Sequence, residues 1–253
     1  MSVLSATKPD IWTLSPQMTA APNLWSQCAL LFPLWDRSTT IHDIVGNIRY
    51  SYIIDGTSGT PEADLGPNGR RISTNNGTSA ASGDYYDISI SDYPELVGTD
   101  ITLWALAHTD YLSSARGGSG DQVLFGTDWD GSKILNYAPY FNDNDRIQLW
   151  NGGSAAGNVT FNANQLYNIA CILDGASGEF SLYVDGVLDT TLTGFSTFTS
   201  SGILRIFNNR DTDPNRSFAG SADIMGVWSR KLSDGEIALL NKDPFAMIRP
   251  AGF

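Results

Sequence analysis

Short stretches of alternating apolar and polar residues, separated by turn residues, run through most of the chain. Phe180, Leu182 and Val184 alternate with more polar residues, which is typical of a strand buried on one face. Asp185-Gly186 then predicts a type I′ hairpin, because both central residues of that turn need positive φ. Residues 101–108 are almost all apolar and predict a strand buried on both faces. Further strands are predicted at 85–90, 122–126, 133–138, 146–150, 167–173, 187–192, 203–207 and 222–228.

A single helix is predicted near the end of the chain. Ser233-Asp234-Gly235-Glu236 has the pattern of a capping box, in which Ser233 caps the third helical amide and Glu236 reaches back. Ile237, Leu239 and Leu240 supply an apolar face, and Pro244 ends the helix. Many short strands and one short helix predict an all-β fold, a two-sheet antiparallel jelly-roll sandwich with a short C-terminal helix.

The pattern divides the chain into three parts. Residues 1–22 contain three prolines and no periodicity, and predict an extended N-terminal arm, with disorder as the alternative. Residues 23–241 form the predicted sandwich domain, and 242–253 a C-terminal tail. Within the domain, residues 55–83 are rich in Gly, Ser, Thr and Asn, and predict a long loop with one short strand near 71–74.

Charge and targeting signals exclude several classes of partner. The formal net charge is −12 and the 15 basic residues are scattered, whereas phosphate binding needs clustered Lys and Arg. The N-terminus lacks the basic start and apolar core of a signal peptide, and no stretch approaches 18 apolar residues. We therefore expect synthesis in a cytoplasm, no nucleic-acid partner and no membrane insertion.

The two cysteines, Cys28 and Cys171, both lie in apolar runs. Free cysteine is among the most buried residue types, so two reduced core thiols are predicted. A disulfide between them is the alternative, because sequence does not show the geometry that a disulfide needs.

Catalytic patterns are poorly represented. The chain has four Glu, and Glu62-Ala63-Asp64 is the nearest approach to the paired carboxylates of glycoside hydrolysis. His42 and His108 accompany no G-x-S-x-G motif and have no zinc-ligand spacing, so structural roles are predicted for both. The chain is therefore predicted not to be an enzyme.

Two Asp-rich segments are candidates for Ca²⁺, which prefers oxygen ligands. Asp128 and Asp130 lie in one segment, and Asp211 and Asp213 lie in the other, at alternating positions. Ca²⁺ is therefore a candidate cofactor. The alternative is that these side chains bond to nearby backbone in turns and hold no ion.

Aromatic residues with polar neighbours suggest a sugar site in the middle of the chain. Trp129, Tyr140 and Trp150 could stack on sugar rings, while Asn142 could bond hydroxyl groups. The alternative is that alternate aromatics are core and the rest meet a protein partner.

Two segments carry a family resemblance. They are EFSLYVDGVLDTT at 179–191 and SFAGSADIMGVWSRKLSDGEIALL at 217–240. These resemble the laminin-G-like family of the concanavalin-A-like lectin and glucanase superfamily, and imply that fold for residues 24–241. The acidic position of the family motif near Met225 is displaced, Asp223 being the nearest acid. The matching positions are Phe218, Gly220, Val227, Trp228, Arg230, Leu232, Ser233, Glu236 and Ile237.

The C-terminal segment NKDPFAMIRP at 241–250 is similar to the ends of laminin-G-like proteins from tailed-phage structural gene clusters. This resemblance implies a virion structural or decoration protein of capsid or tail, made in the host cytoplasm, with arm and tail as attachment elements. Its expected partners are virion structural proteins, further copies of itself and cell-surface glycans. The alternative is a carbohydrate-binding adhesin or receptor-binding lectin, and a glycoside hydrolase is the third hypothesis.

Overall fold

Seventeen strands and one α-helix are present in the part of the chain that the computed structural model describes. The described residues are 21–33, 40–46, 48–53, 62–66, 69–73, 85–110, 112–115, 122–127, 140–142, 144–150, 154–198, 202–207 and 218–249.

The elements follow one another along the chain in this order: β1 (Cys28–Pro33), β2 (Thr40–Asp43), β3 (Ile48–Ile53), β4 (Glu62–Gly66), β5 (Gly69–Ser73), β6 (Tyr85–Ser89), β7 (Ile101–Thr109), β8 (Gln122–Val123), β9 (Phe125–Thr127), β10 (Tyr140–Phe141), β11 (Arg146–Trp150), β12 (Ser154–Thr160), β13 (Tyr167–Asp174), β14 (Glu179–Val184), β15 (Val187–Leu192), β16 (Ile203–Ile206), β17 (Gly220–Trp228) and α1 (Asp234–Lys242).

The strands form antiparallel sheets. A large sheet has the order β15-β14-β13-β7-β17-β5-β4, and β1 also pairs with β17. Two smaller sheets have the orders β2-β3-β6-β16-β9 and β12-β11-β10-β8. Strands β8 and β9 are separated only by Leu124, so this stretch of chain links the two smaller sheets.

The main core lies between the large sheet and the two smaller sheets. Strand β7 is central to the large sheet and is buried along its whole length. Leu103, Ala105 and Ala107 face the main core, while Trp104 and Leu106 belong to a second cluster on the opposite face. The predicted doubly buried strand is thus confirmed, and the architecture is the predicted jelly-roll sandwich.

The second cluster, here called the outer core, covers the face of the large sheet that points away from the main core. The indole N–H of Trp228 donates to the carbonyl of Leu24 at 2.6 Å, and that of Trp25 donates to the carbonyl of Met247 at 2.9 Å. Helix α1 contributes Ile237 and Leu240. The outer core therefore binds both ends of the described fold to the same sheet.

The domain boundaries stay a prediction. Residues 1–20 of the predicted arm lie outside the described residues. In the predicted tail, Lys242 is the last residue of α1, and Ala246, Met247 and Ile248 are buried in the outer core. This part of the expected attachment tail is thus engaged with its own domain, because its apolar side chains cover the large sheet.

The predicted turn and cap are confirmed. Asp185 and Gly186 have φ values of 49° and 80°, as the hairpin between β14 and β15 requires. At α1, the Ser233 hydroxyl accepts from the backbone N–H of Glu236, and the Glu236 carboxylate accepts from the backbone N–H of Ser233.

The segment at 55–83 contains one strand more than predicted. The strand predicted near 71–74 is β5, and the additional strand β4 pairs with it as a hairpin, Glu62 opposite Ser73. Among the described residues, two pairs, Ser221 with Ser73 and Ala222 with Ile72, connect β5 to β17. Backbone pairing at the edge of the large sheet determines where this polar segment lies. Its composition alone was therefore a poor guide to its secondary structure. The strand predicted at 133–138 lies outside the described residues.

Both cysteines are free, as predicted. Cys171 belongs to the main core and Cys28 to the outer core, so the large sheet separates the two thiols. Burial raises the pKa of both thiols, which keeps them protonated and unreactive in the folded protein.

Candidate functional site

Most of the sequence-predicted ligands lie in the segment 128–139 or the segment 208–217. Trp129 and the calcium candidates fall outside the described residues, so the calcium site and the role of Trp129 stay predictions. Those calcium candidates are Asp128, Asp130, Asp211 and Asp213.

The other three predicted sugar ligands lie on one small sheet. Tyr140 begins β10 and is the backbone partner of Gln148 on β11 and of Val123 on β8. Ile147 and Leu149 of β11 enter the main core, so the positions that alternate with them, 148 and 150, belong to the opposite face. This face, which points away from the main core on both smaller sheets, is called the front face below. The register between β10 and β11 brings positions 140, 148 and 150 close together on this face.

The side chain of Asn142 stabilises this hairpin through hydrogen bonds. Its Nδ2 donates to Oε1 of Gln148 at 2.7 Å, and its Oδ1 accepts the backbone N–H groups of Asn144 and Arg146 at 3.0 and 3.1 Å. Both ends of the carboxamide therefore hold the turn between β10 and β11. Its predicted contact with sugar hydroxyls stays a prediction, with Gln148 now beside it.

An ion pair between Asp87 and Arg205 lies on the front face of the five-stranded sheet. Arg205 on β16 is the cross-strand partner of Asp87 on β6. Its Nε lies 2.6 Å from Oδ1 of Asp87, and its Nη2 lies 3.1 Å from Oδ2. Such a two-point contact fixes both planar groups more firmly than a single hydrogen bond does.

Strand periodicity explains why these two charges meet. Tyr86 and Ile88 flank Asp87 and enter the main core, and Leu204 and Ile206 do the same beside Arg205. The intervening residues must then face the other way. Arg205 is only 3% exposed, while the Asp87 side chain retains 25% exposure, so the carboxylate is the accessible member of the pair.

This arrangement suits recognition of a hydroxylated ligand. A hydroxyl group can donate a hydrogen bond to a carboxylate, and the Asp87 side chain is 25% exposed in an orientation that Arg205 fixes. Asp87 and Arg205 are not among the residues that the sequence predicts for the site. The available signal was a single charged residue inside each of two apolar alternating strands.

The described residues offer no alternative metal centre. No three His, Cys, Asp or Glu side chains among them are grouped to hold a metal ion. His108 is 2% exposed and its Nε2 lies 2.9 Å from Oδ1 of Asp110, an arrangement compatible with its predicted structural role. Among the same residues, no helix is long and apolar enough to cross a bilayer.

Comparison with known proteins places this geometry in context. A family model of the concanavalin A-like lectin/glucanases superfamily, of the laminin G type, matches residues 80–238. No curated protein matches the chain.

Similar solved structures include carbohydrate-active proteins. Trypanosoma rangeli sialidase in complex with sialic acid has a TM-score of 0.62 and 14% identity, covering 88% of this chain and 34% of that one. Domain 4 of a GH43 extracellular arabinanase from Geobacillus stearothermophilus, in complex with arabinotriose, has a TM-score of 0.60 and 18% identity, covering 85% and 98%. The binding domain of Paraclostridial Mosquitocidal Protein 1 has a TM-score of 0.61 and 12% identity, covering 88% and 53%.

These likenesses show a shared fold. The chain spans about a third of the length of the sialidase chains that it matches, but nearly all of the arabinanase domain. At such low identity, the residues of a binding site do not transfer from one protein to another.

Proposed function

Because the chain belongs to the laminin G-like family of the concanavalin A-like lectin/glucanases superfamily, we propose that it is a non-catalytic module that binds carbohydrate through its front face. The observation that carries this proposal is the Asp87–Arg205 pair, which holds a partly accessible carboxylate in a fixed orientation. Tyr140 and Trp150 occupy positions on the same side of the sandwich. Aromatic rings stack on sugar faces while carboxylates bond the hydroxyls.

The solved neighbours support a sugar ligand. The match covers 98% of the arabinanase domain, which holds arabinotriose, so this architecture can bind a sugar as a separate domain. The match covers only 34% of the sialidase chain, and the sialidase reaction is therefore a weak guide to this chain.

The distribution of carboxylates supports a non-catalytic role. Retaining hydrolysis needs two carboxyl groups about 5–5.5 Å apart, one of them able to donate a proton. On the front face, both carboxylate oxygens of Asp87 accept hydrogen bonds from Arg205. Glu179 and Glu236 lie on the outer side of the large sheet, away from this pair.

A glycan array with purified protein tests the proposal. Asp87→Asn and Tyr140→Ala are each expected to lower binding by at least about tenfold, because a hydroxyl acceptor or a stacking surface is lost. Asp92→Asn, at an exposed site in the neighbouring turn Ile90–Asp92, is the matched control and should bind like the parent. Absence of any glycan ligand, or full binding by both front-face variants, would overturn the proposal.

The proposal includes Ca²⁺ as a cofactor for glycan binding. We propose that Asp128, Asp130, Asp211 and Asp213 hold Ca²⁺ through the segments 128–131 and 208–213, whose oxygen ligands alternate along the sequence. The array is therefore run with Ca²⁺ and with EGTA. Loss of binding in EGTA, restored by added Ca²⁺, is expected, whereas equal binding in both conditions would remove the metal from the proposal.

A second proposal concerns where the module works. The segment 241–250 resembles the ends of phage structural proteins, and on that observation we propose that the protein is a virion component of capsid or tail, present as a symmetric homo-oligomer. Mass spectrometry of purified particles should detect it in a fixed ratio to the major structural proteins. Particles without it would leave an adhesin or receptor-binding lectin as the remaining assignment.

A further inference from the structure

A cleft of about 640 Å³ opens on the outer side of the large sheet, between β14 and the first turn of α1. Its apolar surface comes from Ile172, Leu232 and the ring of Tyr183. This volume lies within the usual range for ligand sites. The cleft is on the opposite side of the sandwich from the front face, and its floor is the edge of the outer core, to which Ile172 and Leu232 belong.

The walls of the cleft are held in place by hydrogen bonds. Nδ2 of Asn241 on α1 donates to the carbonyl of Asp185 at 2.8 Å, which fixes the β14–β15 hairpin against the helix. A Cβ on Gly186 would lie 3.1 Å from that Asn241 side chain, so the two elements approach each other closely. The cleft is therefore preformed, and a ligand need not order it.

The charges that line the cleft do not balance. Nζ of Lys231 lies 2.6 Å from Asp174, and Arg230 contacts both carboxylate oxygens of Glu236. Two further carboxylates remain, those of Glu179 and Asp234. Both residues are exposed, and their described side-chain partners are hydroxyl groups, those of Ser181 at 3.3 Å and Tyr183 at 3.0 Å. Four carboxylates and two cations therefore line the cleft, so two formal negative charges are in excess among the lining residues.

The ionisation of neighbouring groups agrees with a negative potential in the cleft. Burial, the hydrogen bond to Asp234, and the charges of Asp234 and Glu179 together raise the pKa of Tyr183. The hydrogen bond to Asp174, with the charges of Asp174, Asp100 and Glu179, raises the pKa of Lys231. A cation entering the cleft would therefore be stabilised.

A large apolar side chain is exposed beside the cleft. Leu188 on β15 is the backbone partner of Tyr183, which lines the cleft, and Leu188 is 51% exposed. Large exposed apolar side chains beside a charged pocket are typical of a protein interface, where Arg is enriched among apolar contacts. A free inorganic cation in the cleft would leave the apolar side chain of Leu188 exposed to solvent.

We propose that this cleft is a docking site for a basic protein segment, in which one arginine side chain enters the cleft and an adjacent apolar residue covers Leu188. The guanidinium group matches the carboxylates of Glu179 and Asp234, which are hydrogen-bond acceptors with a planar geometry. Its aliphatic stem covers the ring of Tyr183. Because the front face is on the opposite side, the partner and a glycan bind at the same time.

NMR titration of the ¹⁵N-labelled protein with the peptide acetyl-Leu-Arg-Leu-amide tests the docking site. Amide shifts are expected around Glu179, Tyr183 and Asp234, with a dissociation constant in the millimolar range for so small a probe. The peptide with citrulline in place of arginine is the matched control, since citrulline has the same shape without the charge. It should bind about tenfold more weakly. Equal binding of both peptides, or shifts elsewhere only, would overturn the proposal.

Substitutions that are expected to change the affinity for the arginine peptide in opposite directions make the test more specific. Glu179→Gln and Asp234→Asn should each weaken binding of the arginine peptide several-fold, while Glu95→Gln, at an exposed position that does not line the cleft, should not. Lys231→Gln should strengthen it, because Asp174 is released from its ion pair. The site would be refuted if Glu179→Gln, Asp234→Asn and Lys231→Gln all bound the arginine peptide like the parent. The glycan array with Glu179→Gln should be unchanged, so failure here is distinguishable from failure of the sugar proposal.

Discussion

The side chain of Asp189 connects the edge of the large sheet to the edge of the four-stranded sheet. It lies on β15, at the edge of the large sheet, and its carboxylate accepts the backbone N–H groups of Asn158 at 2.9 Å and Val159 at 3.2 Å. Those residues belong to β12, at the edge of the four-stranded sheet. The side chain of Asn158 returns a hydrogen bond to the Asp189 carbonyl at 2.7 Å. Two exposed strand edges are thus joined, which protects both from pairing with another chain.

Gly157→Ala is predicted to destabilise the fold. A Cβ at this position would lie 2.0 Å from Oδ2 of Asp189, so the carboxylate would have to leave the amides that it caps. We expect a loss of about 1–3 kcal/mol in the free energy of unfolding, measured with urea. Gly235→Ala is the control, because nothing lies within 4 Å of its Cβ position on α1, and it should be neutral or stabilising. A parent-like midpoint for Gly157→Ala would contradict this account.

Glu236 is predicted to make stability depend on acid pH. Its hydrogen bonds with Arg230 lower its pKa from 4.5 to about 2. An acid with a depressed folded-state pKa stabilises the fold above its unfolded pKa, and that contribution is lost as the pH falls toward 2. Urea unfolding between about pH 6 and about pH 3 should show this loss, and Glu236→Gln should flatten the profile. An unchanged slope in the variant would assign the loss to other groups.

At the scale of elements, predictability follows the strength of the local pattern. Strand β7 and helix α1 were predictable, because an uninterrupted apolar run and a capping box are local signals. The β4–β5 hairpin was not, since its place is decided by two backbone pairings with β17, more than a hundred residues away. The predicted strand at 122–126 divides at Leu124, where the chain passes from one small sheet to the other.

Ser233→Ala is predicted to destabilise α1 and the outer core beneath it. The substitution removes the acceptor for the Glu236 amide at the first turn. A lost N-cap costs about 0.5–2 kcal/mol, and Ser233→Thr, which keeps the hydroxyl, should cost less than half of that. Thermal unfolding followed by circular dichroism measures both variants. Equal melting temperatures for Ala and Thr would show that the cap adds no stability.

At the scale of the whole molecule, one sheet serves two cores and separates two candidate binding surfaces. The proximity of positions 140, 142 and 150 in one small sheet was predictable, because they are close in sequence, and their contact with sugar stays a prediction. Asp87 and Arg205 were not, since 118 positions separate them and only the pairing of β6 with β16 brings them together. The docking cleft was also beyond prediction, because its walls come from both β14 and α1.

The shared sheet predicts that both cores unfold as one unit. Cys171 reports on the main core and Cys28 on the outer core. Pulsed alkylation in increasing urea, read by mass spectrometry, should label the two thiols with the same midpoint. Cys28→Ala and Cys171→Ala assign the signals. Earlier labelling of Cys28 would show that α1 and the two chain ends open separately from the sandwich.

The hydrogen bond from Trp25 to Met247 has a consequence for engineering. Residues 222 positions apart meet there, so the first and last parts of the described chain lie at neighbouring points. A domain with adjacent entry and exit points can be spliced into a surface loop of a host protein without stretching the host. The segment from Ala21 to Arg249 should therefore behave as a cassette, displaying its front face from a scaffold through two short connectors.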